Sequence, residues 1–312
     1  MWKTTLVFMA LSVSAVQATE YCAFSSQQQL TLQDVAKLKL SIAADQLRVT
    51  GSDRSDIQLQ ATLCASSQDR LDEMQITHTQ QADSADITLL PKQRNNSFSR
   101  SFWGGRNDKY SKFELVLQVP QSLLVELAVG SGTAELSNLQ QLNLQLSSGD
   151  VNANAIKGNV EATISSGTFK LTEAGAVKLN ALASGDAVLK NIADLYVYSV
   201  GSGDLKVSQI KGDTRLASIG SGRVELTEQQ GDLHIASVGS GDAIIKQLSG
   251  KLMIERVGSG TVSIADVKGD VQLGALGSGD ISVKQVTGDL SLAHKGSGDF
   301  QFNNIDGKVL FK

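Results

Sequence analysis

The acidic residues best placed for chemistry in this chain of 312 residues stand in a column. Ten times, at steps of 17 to 19 residues, a Ser-Gly corner recurs, its Gly at Gly132, Gly149, Gly167, Gly185, Gly203, Gly222, Gly241, Gly260, Gly279 and Gly298. The next residue runs Thr133, Asp150, Thr168, Asp186, Asp204, Arg223, Asp242, Thr261, Asp280, Asp299. A repeated Asp behind a glycine turn could build a calcium ladder, because Ca²⁺ wants six to eight oxygen ligands. The pattern argues against one. Calcium-binding β-rolls repeat every nine residues, whereas these steps are of 17, 18 and 19 residues. No second acidic column is expected to complete the oxygen cages, and Arg223 would repel a cation. The column therefore reads as solvated turn chemistry. No metal and no other cofactor is expected.

A second concentration of chemistry lies at Lys92–Phe113, KQRNNSFSRSFWGGRNDKYSKF. Lys92, Arg94, Arg100, Arg106, Lys109 and Lys112 face Asp108 alone, and five aromatics accompany them in a chain only 5% aromatic. Gly104-Gly105 makes the stretch a loop. Basic and aromatic side chains together suit an anionic envelope glycan, a lipid head group or an acidic envelope protein. Arg100, Phe102, Trp103, Arg106 and Tyr110 are the expected contact residues; the bland alternative is a hairpin tip whose aromatics fold back on the body. Cys22 and Cys64, an even pair, read as a disulfide of an oxidising compartment. Such a bridge stabilises by roughly 3–4 kcal/mol in the chain-entropy model. The three His, with no Cys-x-x-Cys, give little for a metal site.

The elements that must position these residues follow from the repeat. Nine residues beyond the later corners stands a further Gly: Gly212, Gly231, Gly250, Gly269, Gly288 and Gly307. Between corners the pattern alternates. Ala243, Ile245, Leu248, Leu252, Ile254 and Val257 are the inward set of one copy; Val262, Ile264, Val267, Val271, Leu273 and Leu276 are that of the next. Each copy is then two short strands and two tight corners. One copy cannot bury its apolar row alone, whereas stacked copies can. The expectation is an all-β fold: a right-handed parallel β-solenoid with two strands and two Gly corners per 18–19-residue coil. Ten coils would make a rod of roughly 45–50 Å. The corner glycines are expected to supply positive φ and to keep bulk away from the corner of the adjacent coil.

Residues 1–18, MWKTTLVFMALSVSAVQA, read as a secretory signal peptide. The residues before Cys22 do not suit lipid attachment. Residues 19–129 are expected to form an irregular β-rich cap carrying the loop 92–113, and residues 130–312 the repeat solenoid. Within the first region Leu38, Leu40 and Ile42 alternate, as do Ile57, Leu59 and Ala61, and Phe113, Leu115 and Leu117. At the other end Phe300, Phe302 and Phe311 are expected to plug the last coil. Small pairs, Ala217-Ser218, Ala236-Ser237 and Gly274-Ala275, precede three of the corners and could line one edge with a smooth strip. A net charge of −4 is not that of a nucleic-acid binder, and no later segment is apolar enough for a transmembrane span.

The Gly-Ser-Gly-Asp corner with its second Gly resembles the bacterial putative-adhesin family, cell-envelope proteins built on a β-strand repeat domain of unknown function. LRVTGSDRSDIQLQATL from Leu47 resembles the entry region of that family more loosely. The resemblance implies a β-solenoid, export and no enzymatic activity, and it supplies no catalytic residues. The expected function is a non-enzymatic, adhesin-like binding or scaffold module, exported to the periplasm or cell surface without a lipid anchor. The alternative is a polysaccharide-degrading enzyme on a β-helix scaffold, which would need clustered carboxylates or a base beside Arg or Lys. An ice-binding rod would need a flat Thr-x-Thr array, and the outward pairs here are mixed.

Overall fold

The computed structural model describes residues 22–90 and 109–311. The signal-peptide stretch 1–18 lies outside them. From Thr133 the chain alternates between two sheets of 14 strands each, called A and B here, and every pairing along this part is parallel. Equivalent residues stack in rows: Val224 lies beside Ala243, Ala243 beside Val262, and Val262 beside Ile281. All twelve inward residues of the two coils spelled out above are 3% exposed or less. Alternation alone therefore gives the core, because a period of two sends every second side chain between the sheets. The fold is a parallel β-solenoid of about ten turns.

The N-terminal part enters the same rod out of chain order. Its strands are β1 (Phe24–Gln33), β2 (Lys37–Ile42), β3 (Gln46–Ser52), β4 (Asp56–Ala65), β5 (Gln75–Gln81), β6 (Ser84–Leu90), β7 (Ser111–Pro120) and β8 (Leu124–Val129); a short helix, α1 (Gln68–Asp72), follows β4. β2 in sheet B and β3 in sheet A make one coil. It lies between a coil made by β6 and β7 and the coil made by β8 and the next strand, β9 (Thr133–Leu139). Antiparallel strands then close this end: β4 on β7, β1 on β4, and β5 on β6. Leu38, Leu40, Ile42, Ile57, Leu59, Ala61, Phe113, Leu115 and Leu117 are all buried. Cys22 and Cys64 form a disulfide that ties the start of the described chain to the end of β4, with Cα atoms 5.5 Å apart. At the far end Phe300, Phe302 and Phe311 do gather, with ring centroids 5.5–5.7 Å apart. They cover the last coil only in part, since Phe302 and Phe311 remain 44% and 53% exposed.

The corners correct one expectation. Among the described residues no glycine has positive φ. Apart from Asp34 and Ala82 in the N-terminal part, the positive-φ residues stand six places after each corner Gly: Asn138, Ala155, Glu173, Asn191, Gln209, Glu228, Gln247, Asp266, Gln285 and Asn304, at φ 55–63°. Each is skipped in the strand ladder, so that Lys246 pairs with Ala265 and Leu248 with Val267 while Gln247 bulges out. The corner Gly is needed for closeness alone. A Cβ on Gly241 would overlap the carbonyl oxygen of Gly222 in the preceding coil and lie 2.9 Å from the Ser221 carbonyl carbon. The approach is that close because backbone bonds continue through the corner: Ser240 N donates to Gly220 O at 2.9 Å and Gly241 N to the same oxygen at 2.8 Å. Asp45 takes the equivalent place in the β2–β3 coil. There the coil underneath departs from the repeat, and the carboxylate fits, accepting from Phe113 N and Ala43 N at 3.0 Å each. Burial pushes the Asp45 carboxyl above its usual range, against the pull of those two N–H groups.

Candidate functional site

The acidic columns are the first place to look for a site, and a further correction arises there. A second column does exist, following the second corner: Asp194, Asp213, Asp232, Asp270 and Asp289. Its carboxylates are used by the backbone. Asp194 accepts from Asp213 N at 2.9 Å, Asp213 from Asp232 N at 2.9 Å, and Asp232 from Lys251 N at 2.8 Å. The seven-residue strands of sheet A separate the two columns, a span of roughly 20 Å, so they cannot share an ion. Within the first column Arg223 pairs with Asp242 at 3.1 Å, and Asp299 N donates to Asp280 at 3.2 Å. No group of three or more His, Cys, Asp or Glu is arranged to hold a metal among the described residues.

Of the expected contact loop, Arg100, Phe102, Trp103 and Arg106 lie outside the described residues. Tyr110 is described, and it packs in the N-terminal part of the rod. Its hydroxyl accepts from Ala23 N at 3.1 Å, next to the disulfide, and its backbone exchanges bonds with Ser66.

The surface with most binding chemistry is the outer face of sheet B. A groove of about 410 Å³ crosses five strands, from β2 through β8, Gln141–Leu146 and Val160–Ile164 to Val177–Leu182. Its long axis follows the rod for about 19 Å, four strand spacings. Outward positions of successive coils line it: Lys39 and Ser41, Glu126 and Ala128, Asn143 and Gln145, Glu161 and Thr163, then Asn180. Lys37 reaches Glu126 at 2.6 Å and Lys39 reaches it at 3.7 Å; Lys178 and Asn180 hold Glu161 at 2.9 and 2.8 Å. Burial alone would raise the Glu126 carboxyl, but Lys37, Lys39 and Asn143 together bring it below the usual glutamate range. Asn180 and Lys178 do the same for Glu161. Both carboxylates are thus held charged and neither offers a proton at neutral pH, which is what a general acid for glycoside cleavage must do. The groove can bind; its chemistry is that of hydrogen-bonding amides, hydroxyls and neutralised ions.

In the next coil along the rod, Tyr196 and Tyr198 project from the same face, 41% and 63% exposed. Sequence reading missed both the groove and this pair. The signal was present as Tyr-x-Tyr in an aromatic-poor chain, at outward positions filled in the two adjoining coils by Lys178 and Asn180 and by Arg215 and Ala217. The small pairs Ala217-Ser218 and Ala236-Ser237 follow the tyrosines along the rod, and Glu255-Arg256 interrupts them.

The family model described as Toastrack DUF4097 matches residues 35–310. Curated proteins give no match. Among solved structures, a putative lipid binding protein from Parabacteroides distasonis shares 16% identity at a TM-score of 0.39, covering 90% of this chain and 97% of its own. A putative adhesin from the same organism shares 17% at 0.34, with the same coverage of both chains. A putative adhesin from Parabacteroides merdae shares 12% at 0.27, covering 93% of this chain and 97% of its own.

Proposed function

The chain belongs to the Toastrack DUF4097 family, and from that premise we propose that it is an exported, non-enzymatic binding module of the cell envelope, adhesin-like in using a rigid rod to present its faces. The observation that carries this reading is the groove on sheet B. It gathers outward amides and hydroxyls over five coils and holds its two carboxylates charged by lysine. Export is supported by the character of residues 1–18 and by the disulfide, which suits an oxidising compartment. The periplasm or the cell surface is the corresponding place. The polysaccharide-degrading alternative lacks a proton donor in the groove.

Immobilised full chain, exposed to envelope extracts, should retain a defined glycan, lipid or protein component that an unrelated β-solenoid does not. Retention of nothing beyond the control would remove the reading. So would the release of reducing ends or unsaturated products when the chain is incubated with polysaccharides.

A further inference from the structure

We propose that Tyr196 and Tyr198 form the stacking platform of a glycan-binding site, with the groove from Ser41 to Asn180 taking the following sugars of the same linear chain. The inference rests on the binding-module reading and names its ligand. Leu195 and Val197 point inward and are buried, so the two tyrosines between and after them share the outer face. Neither side chain makes a hydrogen bond or a ring contact among the described residues; only backbone is engaged, as where Tyr198 N donates to Leu179 O at 2.9 Å. In the next coil Arg215 neighbours Tyr196, and Ala217, whose N–H donates to Val197 O at 2.9 Å, leaves Tyr198 without a bulky neighbour on that side. They are the only Phe, Trp or Tyr that sheet B presents outward between Lys37 and Lys295 among the described residues. Exposing two aromatic rings side by side is a cost that coil geometry does not require, since the row of Tyr196 holds Lys178, Arg215, His234 and the single exposed apolar Met253 in other coils, and Asn180 or Ala236 takes the place of Tyr198.

The surroundings select the ligand. An apolar peptide on the tyrosines would have to desolvate Lys178, Glu161 and Arg215 without compensation. A polyanion would meet Glu126 and Glu161, while the groove lysines already hold those carboxylates. A sugar ring matches both halves of the surface. Its C–H face suits an aromatic face, and its hydroxyl rim suits amides, hydroxyls and carboxylates. Gln145 and Thr163 have no side-chain hydrogen bond among the described residues, so they are ready to exchange water for sugar hydroxyls. The groove lies in line with the platform and ends beside it, which suits a linear chain rather than a branched one. Rings with equatorial substituents, as in β-linked glucose or N-acetylglucosamine chains, offer the flat apolar face that two tyrosines on a sheet require.

The test is affinity electrophoresis of the full chain in gels holding laminarin, xylan, cellooligosaccharide or N-acetylchitooligosaccharide, with amylose as the α-linked comparison. At least one β-linked probe should retard the parent more than amylose does. The double variant Tyr196→Ala/Tyr198→Ala should lose about tenfold or more in affinity, since each ring contributes on the scale of an aromatic contact. Tyr196→Phe/Tyr198→Phe should keep most of it. Both variants should melt with the parent. Gln145→Trp, which obstructs the groove and leaves the tyrosines in place, should also weaken binding. No retardation by any β-linked probe, or equal binding by the parent and the double Ala variant, would overturn the site. The same variants on envelope extracts separate the two readings. Undiminished capture by the double Ala variant leaves the binding module standing and removes this site. Glycan binding without any envelope capture does the reverse.

Discussion

A glycine and the residue six places after it divide the work of turning the chain. The Gly accepts the approach of the next corner; the later residue accepts a left-handed backbone. Gly241→Ala should therefore destabilise by about 1–3 kcal/mol through overpacking on the Gly222 carbonyl, whereas Asp242→Thr should be nearly neutral because Thr261 fills that place one coil on. Urea denaturation of the two variants checks the contrast, and equal losses would refute it. At Gln247, φ 56°, Gln247→Val should cost about 1–2 kcal/mol and Gln247→Asn should cost nothing or stabilise slightly. The sequence made the wrong residue look left-handed because Gly is the usual donor of positive φ. The column that does adopt it holds Asn, Gln, Glu, Asp and one Ala, a mixture without periodic emphasis. Asp194 and its equivalents were overlooked for a related reason: the column is broken by Lys251 and Lys308, and the hydrogen bond that orders it is to backbone.

Each strand is a short alternating segment whose inward row is read easily and whose outward row is not. Ile254, Leu273 and their equivalents are buried where alternation puts them, and Ile254→Asp, an unpaired charge in that row, should abolish cooperative folding near neutral pH. Two strands break their own pattern. Thr214 stands in the row of Leu195 and Leu233 with its hydroxyl buried and unpartnered, and Gln229 stands beside Ile210 and Leu248 with Oε1 unpartnered. Thr214→Val keeps the shape and removes the stranded hydroxyl. It should raise the stability measured by chemical denaturation by about 1–2 kcal/mol. The groove belongs to this scale as well. It joins outward residues of five strands, and only the parallel register, which stacks Glu126, Asn143 and Glu161 in one row, brings them together. Because Glu126 and Glu161 titrate below the usual 4.5 in the folded chain, their contribution is present above that value and is lost as pH falls through their lowered values. Asp45, raised from 3.8, acts oppositely, its contribution fading as pH rises. Glu126→Gln should therefore lose less stability than the parent on acidification below pH 4.5, measured by thermal melts across that range.

The whole molecule was legible where the repeat is regular and opaque where the chain leaves it. Successive coils about nineteen residues apart announce themselves in the sequence; the seating of β2–β3 between β6–β7 and β8–β9 does not, because those contacts link segments without a common period. Cys22 and Cys64 were the one long-range contact in this region that chemistry alone foretold. Replacing both by Ala should cost about 3–4 kcal/mol in the cap and leave the melting of the repeat coils little changed, which hydrogen exchange can resolve region by region.

The order of coils in space sets an order in time. A repeat coil closes onto a neighbour 19 residues away, whereas Thr50 and Ser137, touching across β3 and β9, are 87 residues apart. Loop-closure entropy makes the longer contact costlier by about 1.3 kcal/mol, roughly a tenfold slower encounter if all else is equal. During synthesis the first coil must wait, edges unsatisfied, until most of a hundred further residues have emerged and β8 and β9 can settle on it. When the complete chain refolds from denaturant, by contrast, the regular coils can zip one upon another before that contact is made. In refolding followed by pulsed hydrogen exchange, protection of Thr214–Val286 should precede that of Lys37–Ser52. The first-made part of the chain is then the last to be sealed, and the interval is when this rod is most open to mispairing with a second copy.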